Sequence, residues 1–135
     1  MSLFKNRQKV LFQHCDPAGI VFYPRYFEMV NAVVEEWFSE KLGVSFETLH
    51  GPMKAGIPTV HLETTFHAPS YHGDILDFEL EPKRLGTSSL DLSITACCNS
   101  EKRFSMNSTL IYVDKKGSQV KPAQWPLKLR KLISD

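Results

Sequence analysis

One helical stripe followed by a long run of two-residue alternation limits this chain more than any other feature. From Pro24 to about Leu42 the apolar residues fall at Tyr26, Met29, Val30, Val33, Val34, Trp37, Phe38 and Leu42, the three-and-four spacing of a helix with a broad buried face. Glu28, Glu35, Glu36, Ser39 and Lys41 fill much of the remainder, and Gly43 supplies a stop. A stripe this wide needs a large surface to cover. The downstream chain provides it: Val60, Leu62, Thr64, Phe66 and Ala68 alternate with polar neighbours, as do Leu76, Phe78 and Leu80, then Leu90, Leu92, Ile94, Ala96 and Cys98, then Phe104, Met106, Leu110 and Tyr112. Alternation of this kind marks strands with one buried face, and turn signals at Tyr71 to Gly73, Gly86 to Thr87 and Asn99 to Lys102 join them as an antiparallel sheet.

Upstream, Lys5 to His14 reads as a first strand, with Val10 and Phe12 on one side and Lys9, Leu11 and Gln13 on the other. Phe46 to His50 reads as a short helical turn, Asp114 to Gly117 as a polar turn, and the tail from Pro122 to Asp135 as a short terminal helix. The expected fold is α+β: an antiparallel five-stranded sheet wrapped around one long helix, in a single domain over residues 1–135. At 135 residues and 42% hydrophobic content there is material for one core.

Sixteen basic and fifteen acidic side chains nearly cancel, which argues against the basic face that carries nonspecific nucleic-acid affinity. No apolar run approaches the roughly 18 residues of a spanning helix, so no membrane partner is expected. The first nine residues lack an apolar signal core, and the expected compartment is the cytoplasm. Three cysteines do not make a disulfide framework. Cys97 and Cys98 read as packing residues, and Cys15 as a small filler under a loop, with no base evidently placed to make it a nucleophile. His61 and His67, six apart on a strand, lie about 20 Å from one another by strand rise. His14, His50 and His72 show no zinc-ligand spacing either, so no metal site is expected.

The chemistry concentrates between Gln13 and Phe27. Pro17 and Gly19 shape a tight loop carrying Asp16, and Pro24 suits a first helical position, where its missing N–H is not needed. Helix starts leave amide hydrogens unpaired and carry partial positive charge, so they can polarise a carbonyl oxygen. An acid and an electrophilic site thus lie within about eight residues of one another, and oxyanion-type donors are often the largest catalytic contribution. From spacing alone, capping of the loop or helix is the favoured reading of Asp16.

The stretch Asp16-Pro17-Ala18-Gly19-Ile20-Val21-Phe22-Tyr23-Pro24-Arg25-Tyr26 resembles the signature of the 4-hydroxybenzoyl-CoA thioesterase branch of the hotdog-fold acyl-CoA thioesterases. Weaker likenesses follow in the same order at Pro58-Thr59-Val60, at Ala68 to Asp74 and at Lys83 to Ser89. The resemblance implies the hotdog fold and hydrolysis of an acyl-CoA thioester, aromatic or short-chain, to a carboxylate and free coenzyme A. Asp16 would be nucleophile or general base, and the Tyr23 backbone N–H would polarise the carbonyl. Gly19 would shape the loop, while Thr59 and His61 would line the substrate site. Asn31, two helical turns beyond Tyr23, stands where hydroxybenzoyl-type relatives carry an acid, which sets that particular substrate apart.

Lys83, Arg84, Thr87, Ser88 and Ser89 form a turn rich in phosphate-binding groups; a solvated basic hairpin is the plain alternative. The resemblance places the coenzyme A nucleotide there, commonly across a subunit interface. It also implies a homo-oligomer, a dimer or a dimer of dimers, with acyl-CoA as partner and no cofactor beyond the coenzyme A of the substrate. An acyl-thioester hydratase or dehydratase and a noncatalytic binding module are the rival readings. The first usually pairs a histidine with an acid near the central helix, and the stretch 24–42 contains no histidine.

Overall fold

A computed structural model describes residues 1–135. The chain forms β1 (Phe4–Lys9), α1 (Pro24–Glu40), α2 (Phe46–His50), β2 (Ala55–Gly56), β3 (Thr59–Phe66), β4 (Ile75–Leu85), β5 (Ser89–Cys98), β6 (Glu101–Ile111), β7 (Val113–Asp114), β8 (Lys121–Pro122) and α3 (Leu127–Ser134). The five long strands make one antiparallel sheet in the order β1-β4-β5-β6-β3, and β2, β7 and β8 make a small second sheet.

All eight stripe residues, from Tyr26 to Leu42, are buried. They meet the sheet through aromatic contacts: Tyr26 lies 4.7 Å, ring to ring, from Phe104 of β6, and Phe104 6.0 Å from Phe78 of β4. On β4, β5 and β6 the alternation puts Leu76, Phe78, Leu80, Leu90, Leu92, Ile94, Ala96, Phe104, Met106 and Leu110 inward. Pro82 is buried within β4, yet β1 pairs only as far as Leu80, and a register shift follows at Pro82/Arg84. Its missing N–H therefore costs the sheet no bond to β1. Gly43, with φ +70°, turns the chain out of α1 in the left-handed conformation.

The first strand is shorter than its alternation suggests. Val10 N–H goes to Asp74 O at 2.8 Å and Val10 O accepts Gly73 N–H at 2.9 Å, after which the chain leaves the sheet. Phe12–His14 is a 3-10 turn held by Leu11 N–H donating to His14 Nδ1 at 2.8 Å. Phe12 is consequently 79% exposed and lies tilted against His72, ring centroids 5.9 Å apart, not on the core.

On β3 the alternation is interrupted. Thr59 pairs with Leu110, but His61 pairs with Thr109, so one residue bulges between them. A one-residue slip exchanges faces. Thr59 therefore shares the helix-facing side with Leu62, Thr64 and Phe66, and His61 faces away. No residue of β3 is fully buried, because the strand is a sheet edge.

Candidate active site

The Asp16 loop is a miniature hairpin. Asp16 N–H donates to Ile20 O at 3.0 Å, Gly19 N–H to Asp16 O at 2.9 Å, and Phe22 N–H to His14 O at 2.9 Å, with a bridge between Cys15 and Val21. Gly19 sits at φ +83°, a conformation that favours glycine. Asp16 is half-buried, and its Oδ1 accepts the Ala18 N–H at 2.9 Å. The carboxylate thus caps its own turn with one oxygen and not the helix.

The chain enters α1 through Tyr23, whose φ −53° and ψ −34° are already helical. Arg25 N–H donates to Phe22 O and Tyr26 N–H to Tyr23 O, and Pro24 has no amide hydrogen. The Tyr23 N–H is left with no backbone acceptor. Its ring is exposed and lies edge-on to Phe66 of β3 at 6.0 Å and to Phe27 at 6.5 Å. Carboxylate and free amide are therefore carried on one rigid hairpin at the Phe66 end of β3.

An ion pair between a buried arginine and a half-buried aspartate holds that hairpin against the sheet. Arg103 of β6 donates through Nη1 to Asp74 Oδ2 at 2.7 Å and to Pro69 O at 3.0 Å, and its Nε lies 2.8 Å from Glu101 Oε1. The same Asp74 oxygen accepts the Tyr71 N–H at 2.9 Å. This fixes the 69–74 turn, whose Ser70 O accepts Val21 N–H at 2.9 Å and whose Tyr71 bridges Ile20. Burial opposes ionisation of Asp74, but the Tyr71 amide and the Arg103 guanidinium outweigh it and hold the carboxyl below the usual range. Burial pushes the Tyr26 phenol up, against the opposing pull of Ser70 and Arg103. Sequence reading assigned no role to Arg103 or Asp74; a lone arginine in an alternating strand, beside an aspartate closing a glycine turn, was the available signal.

A second feature lies along the helix-facing side of β3, toward Thr59. A cavity of about 600 Å³ opens between α1, α2, β3 and β6, with Phe27, Val34, Phe46, Leu62 and Met106 among its walls. Asn31 and Thr59 line it, as do His50 and Ser108; Asp16, Tyr23 and His61 do not. Asn31 is exposed at the cavity and not buried in the apolar stripe. His50 binds the Phe46 carbonyl through Nδ1 at 2.9 Å. Ser108, almost fully buried on β6, was missed in the sequence because it sits in an alternating strand, where a small hydroxyl resembles an ordinary packing residue.

The 83–89 turn shares this end of the sheet, since Leu85 pairs with Leu90 and Ser89 with Ile111. Lys83 pairs with Glu81, Arg84 and Thr87 are exposed, and Ser88 and Ser89 are half-buried. The turn carbonyls are occupied: Gly86 O accepts Arg130 Nη1 at 2.8 Å, Thr87 O the Trp125 N–H at 3.1 Å, and Ser88 O the Tyr112 N–H at 2.7 Å. Within one chain, then, the hairpin and the basic turn stand at opposite ends of β3, about 20 Å apart by strand rise, and the cavity lies between them, its wall residue Phe27 6.5 Å from the Tyr23 ring. No three His, Cys, Asp or Glu come together as metal ligands, and no helix is long and apolar enough to cross a membrane.

Residues 10–132 match the model of the thioesterase-like superfamily, and the chain belongs to that family. Its fold is the hotdog fold. Among solved structures, a 1,4-dihydroxy-2-naphthoyl-CoA thioesterase from Synechocystis superposes with TM-score 0.88 at 19% identity, covering 99% of this chain and 97% of that one. A thioesterase superfamily protein from Jannaschia sp. CCS1 gives 0.87 at 27% identity, covering 98% and 92%. A 4-hydroxybenzoyl-CoA thioesterase in complex with 4-hydroxybenzoyl-CoA gives 0.83 at 21% identity, covering 97% and 98%. In sequence, the 1,4-dihydroxy-2-naphthoyl-CoA hydrolase of Trichodesmium erythraeum (strain IMS101) is 31% identical over 93 residues, 67% of this chain and 64% of that protein. The same-named hydrolase of Prochlorococcus marinus (strain NATL2A) is 28% identical over 108 residues, 75% and 69%. The aligned stretch thus spans about two thirds of these curated relatives.

Proposed function

We propose that this chain hydrolyses an acyl-CoA thioester at a site completed by a second copy of itself. The observation that carries the reading is the hairpin. It presents a half-buried carboxylate with one oxygen uncommitted to the loop, and, at the adjoining helix start, an amide hydrogen with no backbone acceptor. A thioester carbonyl oxygen on the Tyr23 N–H has its carbon made electrophilic, and negative charge developing on that oxygen strengthens the bond.

Acting as base, Asp16 takes a proton from water as the water oxygen bonds to the carbonyl carbon. The C–S bond then breaks, and the thiolate of coenzyme A leaves with that proton. Acting as nucleophile, Asp16 forms a mixed anhydride that water cleaves; the overall products are the same carboxylate and thiol. Neither route changes an oxidation state, so the reading calls for no redox cofactor.

The partner copy enters through β3. Paired antiparallel edge to edge with its own symmetry mate, β3 would set the Phe66 end of one protomer beside the Thr59 end of the other. Asp16 and Tyr23 of one chain would then face the cavity and the Lys83–Ser89 turn of its neighbour. Lys83 and Arg84 would meet the coenzyme A phosphates, with Thr87, Ser88 and Ser89 adding hydroxyl donors.

The test is thiol release from a panel of acyl-CoAs. Asp16→Asn should lower kcat by about 10²–10⁴-fold with an unchanged circular dichroism spectrum, and near-normal turnover in that variant would remove Asp16 from the mechanism.

A further inference from the structure

Resting on the thioesterase reading, we infer that the acyl group is neutral, mainly apolar and longer than a single ring, and that Val34 and Leu62 set its length. The cavity runs along α1 from Phe27 to Val34, seven residues or about 10 Å at the helical rise. At roughly 30 Å³ for a group the size of one water, a six-carbon ring fills only about a third of its 600 Å³. Aliphatic and aromatic side chains make up most of the wall, which contains no carboxylate and no guanidinium. Its uncharged polar groups are Asn31, Thr59 and Ser108, of which Ser108 alone is buried, and its two basic residues, His50 and Lys115, are both exposed. Such a wall stabilises methylenes and ring carbons removed from water. It gives no buried counter-charge to an acyl group that ends in a carboxylate. A medium-length aliphatic chain and a fused bicyclic ring share this chemistry.

Steady-state thiol release from butanoyl-, octanoyl-, benzoyl-, naphthoyl- and succinyl-CoA tests the assignment on the full chain. At about fourfold per buried methylene, kcat/KM for octanoyl- and naphthoyl-CoA should exceed that for butanoyl-CoA by at least about tenfold, with succinyl-CoA lowest. Val34→Phe and Leu62→Phe fill the cavity from the helix and from the sheet, and each should lower the octanoyl-to-butanoyl ratio by at least about tenfold. Val34 is buried, so Leu62→Phe on the half-exposed edge strand carries the test if the other variant does not fold. A preference for butanoyl-, benzoyl- or succinyl-CoA, or a ratio unmoved in Leu62→Phe, overturns the inference while leaving hydrolysis standing. If no thioester is cleaved, the hydrolase reading falls separately. Calorimetric binding of octanoyl-CoA, weakened about tenfold in Leu62→Phe, would then still support the occupant, and absence of binding would overturn it too.

Discussion

The two edges of the five-stranded sheet are finished in opposite ways. At β1, Lys5, Arg7 and Lys9 line the outward face, Arg7 Nε pairs with Asp77 Oδ1 at 2.8 Å, and Gln8 Nε2 ties the strand to the Met29 carbonyl of α1 at 2.9 Å. Charge and a short length close that edge to further pairing. At β3, Val60, Leu62 and Phe66 are 60%, 45% and 47% exposed, and the strand's outer edge has no partner within the chain. An eight-residue edge of that kind is a template for another strand. The contrast is between a short charged edge and a longer edge with exposed apolar side chains, and the hairpin and the cavity both lie along the second.

The largest effect is expected from charging that side. Val60→Asp, on the same edge but outside the cavity wall, should raise the dissociation constant of the proposed β3-paired dimer by about 10²-fold, since each copy loses the burial of a valine worth about 1.5 kcal/mol, and thiol release at low protein concentration should fall with it. Sedimentation and activity measured over the same dilution series check this. A variant that stays dimeric, or turns over normally as a monomer, would break the comparison.

Next in size is the ion pair behind the hairpin. Arg103→Met leaves Asp74 with the Tyr71 N–H alone and takes the side-chain donor from the Pro69 carbonyl, and should cost about 2–3 kcal/mol, below the roughly 3–5 kcal/mol of a fully buried pair, because Asp74 keeps some solvent. Urea unfolding measures it. Asp74 is held below its usual range, so its contribution is fully present above the unfolded value near 3.9 and is lost as pH falls through the folded one. Asp74→Asn should therefore flatten the loss of stability below about pH 4, and an unchanged acid limb would contradict the ion-pair account. The smallest effect belongs to the finished edge. Arg7→Ala breaks a pair whose partners are both half or more exposed, and should change stability by less than about 0.5 kcal/mol with assembly untouched.

Periodicity was a sound guide wherever a residue's fate depended on its near neighbours. The α1 stripe and the inward faces of β4, β5 and β6 follow the sequence pattern residue by residue, because helical and strand periods assign faces locally. Phe12 shows the limit: its alternation with Val10 is good, but the Leu11–His14 contact ends the strand first. Thr59 shows it again, since the bulge after it brings it onto the face of Leu62 and so to the cavity, while His61 keeps the opposite face that simple alternation gives it. Within the candidate site, the hairpin was legible from its glycine and prolines. Arg103 and Ser108 were not, because each takes its meaning from a partner more than twenty residues away.

By itself, then, the amino-acid order determined a helix, five strands and an acid poised on a tight loop before that helix, all of them consequences of short-range spacing and restricted backbone angles. Only the tertiary structure decided that β3 would be an open edge, that an arginine would clamp the loop from behind, and that the acid and the basic turn would stand at opposite ends of one strand. Strand order and register decide such matters, and both come from packing between segments far apart in the chain, which no local period encodes.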